Sequence, residues 1–389
     1  MRDHPETTPL RGRYLFRKPY ARAAMAIFDA AGKVFNPSRN KPIAPPARIL
    51  LCNIAHFGDV AIALALVPVL KRAFPDAEIG FLAGSWSRPL LELFPDIRWI
   101  HSFDHFLHNR QVPAFGKRIG LHARSSRQAC REIRAVHYDV AIETYYFTKN
   151  AIPLLWRTGI PARIGYTSGG FGALLTHSLD WAYGDRHVLA YHLDLLKFLN
   201  VREALPSNLP WPPRRPSATP APVMPQKDYI VIHPGGGAGF KAWPPDHWRS
   251  LVQALSTRGH CIVLTGRGAV ERATIEAIIE NMPGCLNLCD VLNWEQFIEI
   301  LQNARLLIGI DSVAGHLAAA VDTPSVLIYT GTANLKNFGP LSEKCDLLSH
   351  PVPCIPCFLA NGCEGMECVR WLTVDAVLEA TLRALARPA

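Results

Sequence analysis

Several common signals are missing from this sequence of 389 residues. It has no run of about 18 uncharged apolar residues, so no membrane-spanning helix is expected. Its N-terminus is polar and basic and lacks the apolar core of a signal peptide, so we expect the chain to stay in the cytoplasm. Ten cysteines in that compartment are expected to be reduced thiols rather than a disulfide framework.

The common nucleotide-binding fingerprints are also absent. Phe240 separates Gly239 from Lys241, so the glycine-rich stretch is not a P-loop. The same Phe240 stands where a G-x-G-x-x-G starting at Gly235 needs its last glycine. Because neither half of the chain has that fingerprint after its first strand, an NAD-dependent enzyme is disfavoured.

The glycine-rich stretch is nevertheless the most informative part of the sequence. The apolar run Tyr229–His233 predicts a buried strand, and Pro244 and Pro245 suit the first turn of a helix. Free N–H groups, a helix dipole and one lysine converge between them, which predicts a phosphate site. A glycine-rich surface turn is the alternative. The residues of the predicted site are Gly235, Gly236, Gly237, Gly239 and Lys241.

Positive charge is concentrated in two places. The formal net charge is +9, and residues 1–48 hold ten Arg or Lys against three acidic residues. A second basic cluster covers residues 110–134. Such clusters bind nucleic acid, anionic lipid or a phosphorylated substrate. Binding of an anionic acceptor and a merely solvated basic face are both open for Arg110, Lys117, Arg118, Arg124, Arg127 and Arg131.

Residues 13–35 predict an amphipathic helix, since apolar side chains recur every three or four positions. Arginines beside this face are typical of a helix that lies in a membrane interface. A helix packed on the body of the protein is the alternative.

Strands and helices alternate through the rest of the chain, which predicts parallel, doubly wound α/β sheets. Eight prolines interrupt the alternation at Pro206–Pro225 and predict an extended linker. We therefore expect a basic extension over residues 1–46, a Rossmann-like domain over 47–205, a linker over 206–227 and a second Rossmann-like domain over 228–389. Two such domains favour a ligand cleft between them.

Two segments of the first domain bear on function. The strand Ala47–Ile54 ends before Asp59, at the sheet edge where such folds bind ligands, and a helix is predicted over Ala61–Phe74. Residues 101–134 break the alternation and predict a long loop or mobile helix, typical of functional segments. Four residues in this segment have a helical spacing like that of metal ligands: His101, Asp104, His105 and His108. We interpret the segment as solvated or acceptor-facing.

A second ligand site is predicted after the strand Leu306–Ile310. Asp311 and Ser312 can cap the next helix, and His316 lies one turn into it. The sharper interpretation is that the free N–H groups of this turn point into the cleft beside His316. The small-residue loop Thr330–Thr332 follows another strand.

Four segments in order resemble glycosyltransferase family 9, the ADP-heptose:lipopolysaccharide heptosyltransferases. They are ILLCNIAHFGDVAIALALVPVLKRAFPDAEI, IVIHPGGGAGFKAWPPDHW, IGIDSVAGHLAAAVDTPSVLIYTGT and the NFGP that follows. The resemblance extends from about residue 47 to the C-terminus. It implies a GT-B fold, in which two Rossmann-like domains face each other across a cleft.

The resemblance also implies roles for individual residues. Asp59 matches the family's general base, for which a helix N-cap is the alternative. Lys241 matches the lysine that neutralises charge on the departing nucleotide diphosphate. Glu271 lies where the family has an acidic contact to ribose. The other residues expected to bind the donor are Gly235, Gly236, Gly237, Gly239, Asp311, Ser312, His316, Gly331 and Thr332.

The sequence departs from the family pattern at two turns. Val313 stands where the family usually has glycine after Asp-Ser, and Thr330–Thr332 reads Thr-Gly-Thr in place of Gly-Pro-Thr. Because of these departures, the identities of the donor sugar and the acceptor stay open, whereas the reaction class does not.

Four cysteines near the C-terminus have the spacing C-x2-C-x5-C-x4-C. Thiolates at such spacing can hold zinc, but the second pair does not form a tight knuckle. We expect free thiols, with zinc and redox pairing as alternatives. These residues are Cys354, Cys357, Cys363 and Cys368.

Together these features predict an inverting, metal-independent transferase. It would move a heptose from ADP-heptose to a lipopolysaccharide core or a related phosphorylated, lipid-linked saccharide. No obligatory cofactor and no nucleic-acid partner are expected, and the protein is expected in the cytoplasm, peripherally on the inner membrane. The alternatives are a family member with another sugar nucleotide or acceptor, an NAD-dependent enzyme, and a non-catalytic protein that binds anionic surfaces.

Overall fold

The computed structural model describes residues 14–16, 18–32, 40–109, 112, 114–181, 184–212, 228–359 and 361–387. These residues form two compact units. The first domain comprises the described residues up to 205 together with 210–212, and the second comprises 206–209 and the described residues from 228 onward.

The first domain contains a six-stranded parallel sheet. Most of its strand residues are apolar and buried, as a sheet covered by helices on both faces requires. The strands are β1 Arg48–Cys52, β2 Glu78–Ala83, β3 Ile97–Ser102, β4 Val140–Glu143, β5 Ala162–Tyr166 and β6 His177–Leu179. Their order in the sheet is β3-β2-β1-β4-β5-β6.

The second domain repeats this plan with a second parallel sheet of six strands. The strands are β7 Tyr229–His233, β8 Cys261–Leu264, β9 Leu286–Asn287, β10 Leu306–Ile310, β11 Ser325–Ile328 and β12 Cys345–Leu348. Their order in the sheet is β12-β11-β10-β7-β8-β9.

Both sheets are wound in the same way. Counted within its own domain, each sheet has the order 3-2-1-4-5-6 of dinucleotide-binding folds. The winding direction reverses between β1 and β4 in the first domain and between β7 and β10 in the second. A crevice opens outside the carboxyl ends of the strands at such a reversal. The α/β class predicted from the alternation is confirmed, and the segments after these four strands are where ligands are expected.

Helices cover the first sheet. They are α1 Pro19–Gly32, α2 Phe57–Leu64, α3 Leu66–Ala73, α4 Arg88–Leu91, α5 Phe115–Val136, α6 Ile152–Thr158 and α7 Val188–Leu195. The prediction of one helix over Ala61–Phe74 was wrong, because the helix is interrupted at Ala65 and two helices form instead. Pro68 has no N–H to donate to the Leu64 carbonyl, so a continuous helix would lose a hydrogen bond there.

Residues 101–134 contain the end of β3 and most of α5 rather than a long loop. Helix α5 is regular over 22 residues. Its buried face includes Ser125, Ala129 and Ile133 at four-residue spacing. It ends where His137 takes a left-handed φ of 58°. Of the two alternatives predicted for this segment, the helix is therefore confirmed and the long loop was wrong.

The helical spacing assumed for this segment was wrong, and so was its interpretation as solvated, because His101, Asp104 and His108 are buried. His101 belongs to β3, and its Nε2 lies 2.9 Å from the Tyr138 hydroxyl while its Nδ1 lies 3.2 Å from Glu132. Asp104 follows the strand and accepts a hydrogen bond from the Ser85 N–H at 2.8 Å. These side chains therefore serve local structure on different elements.

Helices also cover the second sheet. They are α8 Pro245–Ser256, α9 Ala269–Ile279, α10 Trp294–Gln302, α11 Val313–Ala320, α12 Leu335–Phe338, α13 Glu367–Arg370 and α14 Val374–Leu385. Trp243 and Trp248 are buried edge to face at 5.0 Å, and Trp243 Nε1 donates to the Leu372 carbonyl at 2.9 Å. This pair fixes the chain directly after the glycine loop. No helix in the described part of the chain is long and apolar enough to cross a membrane.

Candidate active site

The glycine loop after β7 approaches two acidic residues closely. A β-carbon at Gly235 would lie 2.1 Å from the carboxyl carbon of Glu271, so no larger residue fits while that carboxylate holds its place. A β-carbon at Gly236 would lie 3.0 Å from Ile310 and 3.6 Å from the Asp311 carbonyl oxygen. Gly239 is different, because a β-carbon there meets no atom within 4 Å.

Glu271 lies in the first turn of α9, after the end of β8. Its Oε2 accepts a hydrogen bond from the Arg267 N–H at 2.8 Å. Burial raises the pKa of this carboxyl group, and that hydrogen bond opposes the rise. The resemblance had placed Glu271 in the site only loosely, whereas the fold packs its carboxylate against Gly235. A carboxylate in that position can accept hydrogen bonds from ligand hydroxyl groups.

Lys241 lies against the turn that follows β10. Its Nζ is 2.5 Å from Asp311 Oδ2 and 3.4 Å from the Asp311 carbonyl oxygen. Both side chains are largely buried, with 25% and 18% of their surface exposed. Since β7 and β10 flank the winding reversal, the predicted lysine and the predicted Asp311 turn meet at the expected crevice.

Ser312 is the N-cap residue of α11, but its side chain makes no capping hydrogen bond. Its hydroxyl is buried and has no hydrogen-bond partner among the described residues. His316 follows one turn later on the same helix and is buried. Buried polar groups almost always have partners, and helix N-termini attract anions. The start of α11 therefore combines a helix N-terminus with a buried hydroxyl group that has no partner among the described residues, a combination that suits an anionic or hydroxyl-bearing ligand.

The Thr330–Thr332 loop after β11 is held by the cysteine-rich segment. Gly331 donates its N–H to Cys368 Sγ at 3.3 Å, and its carbonyl accepts from the Cys357 N–H at 2.8 Å. The hydroxyls of Thr330 and Thr332 lie 2.7 Å apart. A β-carbon at Gly331 would lie 2.3 Å from Ile355, so a larger residue does not fit there.

The same segment also supports the glycine loop. A β-carbon at Gly362 would lie 2.9 Å from the Phe240 ring, which places the segment against the turn that carries Lys241. All four cysteines are free thiols. Burial, together with the other cysteines, raises the pKa of both Cys354 and Cys368. Among the described residues, no group of His, Cys, Asp and Glu is arranged to hold a metal ion.

Asp59 occupies the third position of α2, soon after the end of β1. Its Oδ2 accepts the His56 N–H at 3.2 Å. His56 rather than Asp59 is the N-cap residue of α2, but Asp59 caps the same helix as the capping-box partner of His56, so the alternative of a capping role stands beside the catalytic one. That bond orients the carboxylate at the carboxyl edge of the first sheet.

Glu143, the last residue of β4, is not among the site residues predicted from the sequence. This side chain is fully buried and accepts N–H bonds from Tyr145 at 3.0 Å and Ala151 at 2.8 Å, with Cys52 Sγ at 3.3 Å. Burial raises the pKa of its carboxyl group to about 7. The available signal was an acidic residue at the end of an apolar run. Glu143 shapes the loop after β4, on the other side of the winding reversal from Asp59.

A cluster of histidines lies beside the start of α2. The rings of His56 and His108 are 5.6 Å apart, and the ring of His108 is 5.5 Å from His105 and 5.3 Å from Tyr145. Burial lowers the pKa of His105 to about 4 and that of His108 to about 3, so both are neutral at neutral pH. Of the four residues interpreted as acceptor-facing, His105 and His108 thus lie next to the segment that carries Asp59.

The predicted acceptor-binding cations have different surroundings. Arg118 is half-buried on α5, and its guanidinium lies 5.9 Å from the Phe115 ring. Arg110 lies outside the described residues. The exposed members on α5 are Lys117, Arg124, Arg127 and Arg131.

The sequence matches a family with known members. The family model for glycosyltransferase family 9 (heptosyltransferase) matches residues 126–365, which is more than half of the chain. The chain belongs to glycosyltransferase family 9. That membership makes it a glycosyltransferase, and its parallel sheets agree with the GT-B fold implied by the resemblance.

Two curated family 9 relatives cover most of the chain. The "Lipopolysaccharide heptosyltransferase 2" of Salmonella typhimurium is 27% identical over 76% of this chain and 86% of its own length. The "Lipopolysaccharide heptosyltransferase 3" of Escherichia coli K12 is 25% identical over 71% and 80%. Among solved structures, the E. coli ADP-heptose lps heptosyltransferase II has a TM-score of 0.66 at 21% identity, covering 87% of this chain and 98% of that one. At that identity the structure shows the shared fold.

Proposed function

We propose that this family 9 protein transfers a heptose from ADP-heptose to the lipopolysaccharide core or a related lipid-linked saccharide. The observation that carries the proposal is the meeting of Lys241, Asp311 and the unpartnered Ser312 hydroxyl at the start of α11. An anionic leaving group fits this site. The names of the curated relatives support heptose as the transferred sugar and lipopolysaccharide as the acceptor class.

The second domain would bind the donor. Lys241 and the N–H groups of the glycine loop and α11 would hold the two phosphates, and Glu271 would accept hydrogen bonds from the ribose hydroxyls. As the bond to the anomeric carbon breaks, the diphosphate oxygen takes the electron pair. Lys241 then stabilises a charge that grows in the transition state. Because these groups supply positive charge at the leaving oxygen, we expect no obligatory divalent cation.

The first domain would bind the acceptor and supply the base. The Asp59 carboxylate takes the proton of one acceptor hydroxyl while that oxygen attacks the anomeric carbon. A single displacement of this kind inverts the configuration at that carbon. The His56 N–H holds one Asp59 oxygen at 3.2 Å, which orients the carboxylate for the transfer.

The basic face of α5 supports a phosphorylated acceptor. Its exposed Lys117, Arg124 and Arg127 can pair with acceptor phosphates. A phosphorylated, lipid-linked acceptor would place the protein peripherally at the cytoplasmic face of the inner membrane.

The direct test is titration of the protein with ADP-heptose, ADP, NAD and a short RNA by calorimetry, followed by an assay of ADP release with a lipid-linked core acceptor. We expect saturable binding of ADP-heptose and ADP only, and acceptor-dependent ADP release in the presence of a chelator. Preferential NAD or RNA binding, or ADP release that needs a divalent cation, would contradict the proposal.

A further inference from the structure

Helix α1 has an unusual inward face, because its most buried residue is an acid. Asp29 is 2% exposed and accepts hydrogen bonds from the Tyr14 hydroxyl at 2.8 Å and the Ala173 N–H at 2.9 Å. Met25 and Gly32 lie on the same face and contact the segment at residues 170–173. This face is small and polar, yet it fixes the helix firmly to the first domain, since a buried carboxylate with two partners is costly to release.

The outward face of α1 is apolar. Tyr20 is 68% exposed and Ile27 is 71% exposed. Ala23, Ala24 and Ala31 are also exposed, and the spacing from Tyr20 is three, four, seven and eleven residues, which is one helical stripe. A helix on a water-soluble protein normally turns such a stripe toward the core. In α1 the polarity is reversed, so the stripe is built to contact something apolar.

The charge around this stripe is of one sign. Asp29 is the only acidic residue of α1, and it is buried. Lys18 Nζ lies 5.6 Å from the ring centroid of Tyr20, and Arg22 lies one turn further along the helix. An exposed tyrosine under an ammonium group is typical of the boundary between lipid headgroups and acyl chains.

The neighbouring elements extend this character. The turn Gly172–Leu174, on which α1 packs, also contacts α6. There Trp156 is 53% exposed and is followed by the exposed Arg157. Helix α6 packs in turn against α5, whose exposed side carries the basic residues described above. The turn Gly172–Leu174 and α6 thus connect the apolar face of α1 to the helix that carries the basic residues.

We propose that the exposed face of α1, formed by Tyr20, Ala23, Ala24 and Ile27, lies in the surface of an anionic phospholipid bilayer, with Lys18 among the headgroups. This proposal depends on the proposed function at one point only, because a lipid-linked acceptor requires a bilayer. Helix α1 has 14 residues and is about 21 Å long, shorter than the hydrocarbon core of about 30 Å. It therefore lies in the plane of the membrane, and the charge complementarity favours lipid over a second copy of the chain.

Flotation of the full chain with vesicles tests this surface. Vesicles of phosphatidylglycerol and phosphatidylethanolamine are compared with vesicles of phosphatidylcholine alone. We expect the wild type to float with the anionic vesicles, Ile27→Asp to bind them about tenfold more weakly, and Lys18→Glu to lose the preference for anionic lipid. Val270→Asp is the matched control, because Val270 is 82% exposed on α9 of the other domain.

Equal flotation of wild type and Ile27→Asp overturns the proposal. So does a concentration-dependent dimer, seen by light scattering, that Ile27→Asp dissolves without any change in flotation. Circular dichroism and thermal melts confirm that each variant is folded. Binding of ADP-heptose to Ile27→Asp in the absence of lipid separates the two proposals. Normal donor binding with lost flotation supports the membrane surface. Absence of donor binding in the wild type and in every variant contradicts only the proposed function.

Discussion

Lys241 Nζ lies 2.5 Å from Asp311 Oδ2, which joins the glycine loop after β7 to the turn after β10. The two residues are 70 positions apart in sequence, and the winding reversal brings them together. In the proposed function, this pair would hold the Lys241 ammonium group in place before the donor binds.

Lys241→Ala is expected to lower kcat/KM for ADP release by about 100-fold or more, because it removes a charge that acts on the leaving group. Steady-state kinetics with the lipid-linked acceptor measures this. Lys344→Ala is the matched control: it breaks a similar pair, with Asp322 at 2.7 Å, on the surface of the same domain. It should leave activity unchanged and stability within about 1 kcal/mol. Similar losses in both variants would show that Lys241 has only a general electrostatic effect.

Asp59→Asn is expected to lower kcat by about 100-fold to 10,000-fold, since the amide cannot take the acceptor proton. Its side-chain oxygen still accepts the His56 N–H, so the melting temperature should change little. The exposed Asp76→Asn in the same domain serves as the control. Full activity of Asp59→Asn would remove it from the role of base, and unfolding would point to the capping role instead.

Gly235→Ala is expected to raise KM for the donor by about tenfold to 100-fold with a smaller effect on kcat. The new methyl group displaces the Glu271 carboxylate, whose Cδ it would meet at 2.1 Å. Gly239→Ala in the same loop meets no atom within 4 Å and should behave as the wild type. Steady-state kinetics measures KM and kcat, and isothermal titration measures the ADP affinity of both variants. Unchanged ADP affinity in Gly235→Ala would show that Glu271 does not contact the donor.

Cys368→Ala is expected to weaken donor binding and to lower stability by about 1–3 kcal/mol, because the Gly331 N–H loses its buried acceptor. Cys368→Ser should restore part of both losses, since its hydroxyl oxygen can accept the same hydrogen bond. The exposed Cys354→Ala is the control. A metal role for the cluster would instead give equal losses in all three variants and measurable metal in the wild type.

Glu143 predicts a pH dependence of stability. Its pKa is raised from 4.5 to about 7 by burial, so the folded state binds this proton more tightly than the unfolded state. Its stabilising contribution is complete below pH 4.5 and is lost as pH rises through about 7. Urea unfolding from pH 5 to pH 8 should show that the free energy of unfolding falls more steeply with pH for the wild type than for Glu143→Gln. Glu92 is exposed, so the free energy of unfolding of Glu92→Gln should fall with pH in parallel with that of the wild type.

Much of the architecture follows from local sequence. The apolar runs at Tyr229–His233 and Leu306–Ile310 agree with the strands residue for residue, because a strand buried on both faces needs a nearly continuous apolar segment. The prediction of a phosphate site at the glycine-rich stretch before Lys241 also depends on local sequence. Free N–H groups and a cation are local requirements of anion binding.

Other features depend on contacts between distant segments. The break at Ala65 was missed, since a single proline gives a weak local signal. In the segment of α5, surface charge left the choice between a loop and a helix open. Glu143 carries no local mark of its burial, which arises only when β4 packs beside β1. The close approach of Glu271 to Gly235 likewise exists only after β7 and β8 pair.

The sequence by itself determined the α/β class, the family and the chemical character of the donor loop, because strand burial and phosphate binding are set by neighbouring residues. The tertiary structure decided which face of α1 is exposed, what Lys241 pairs with and which thiol holds Gly331. Those outcomes depend on which surfaces meet when the chain packs, and helical periodicity alone cannot distinguish an apolar face turned toward the core from one turned outward.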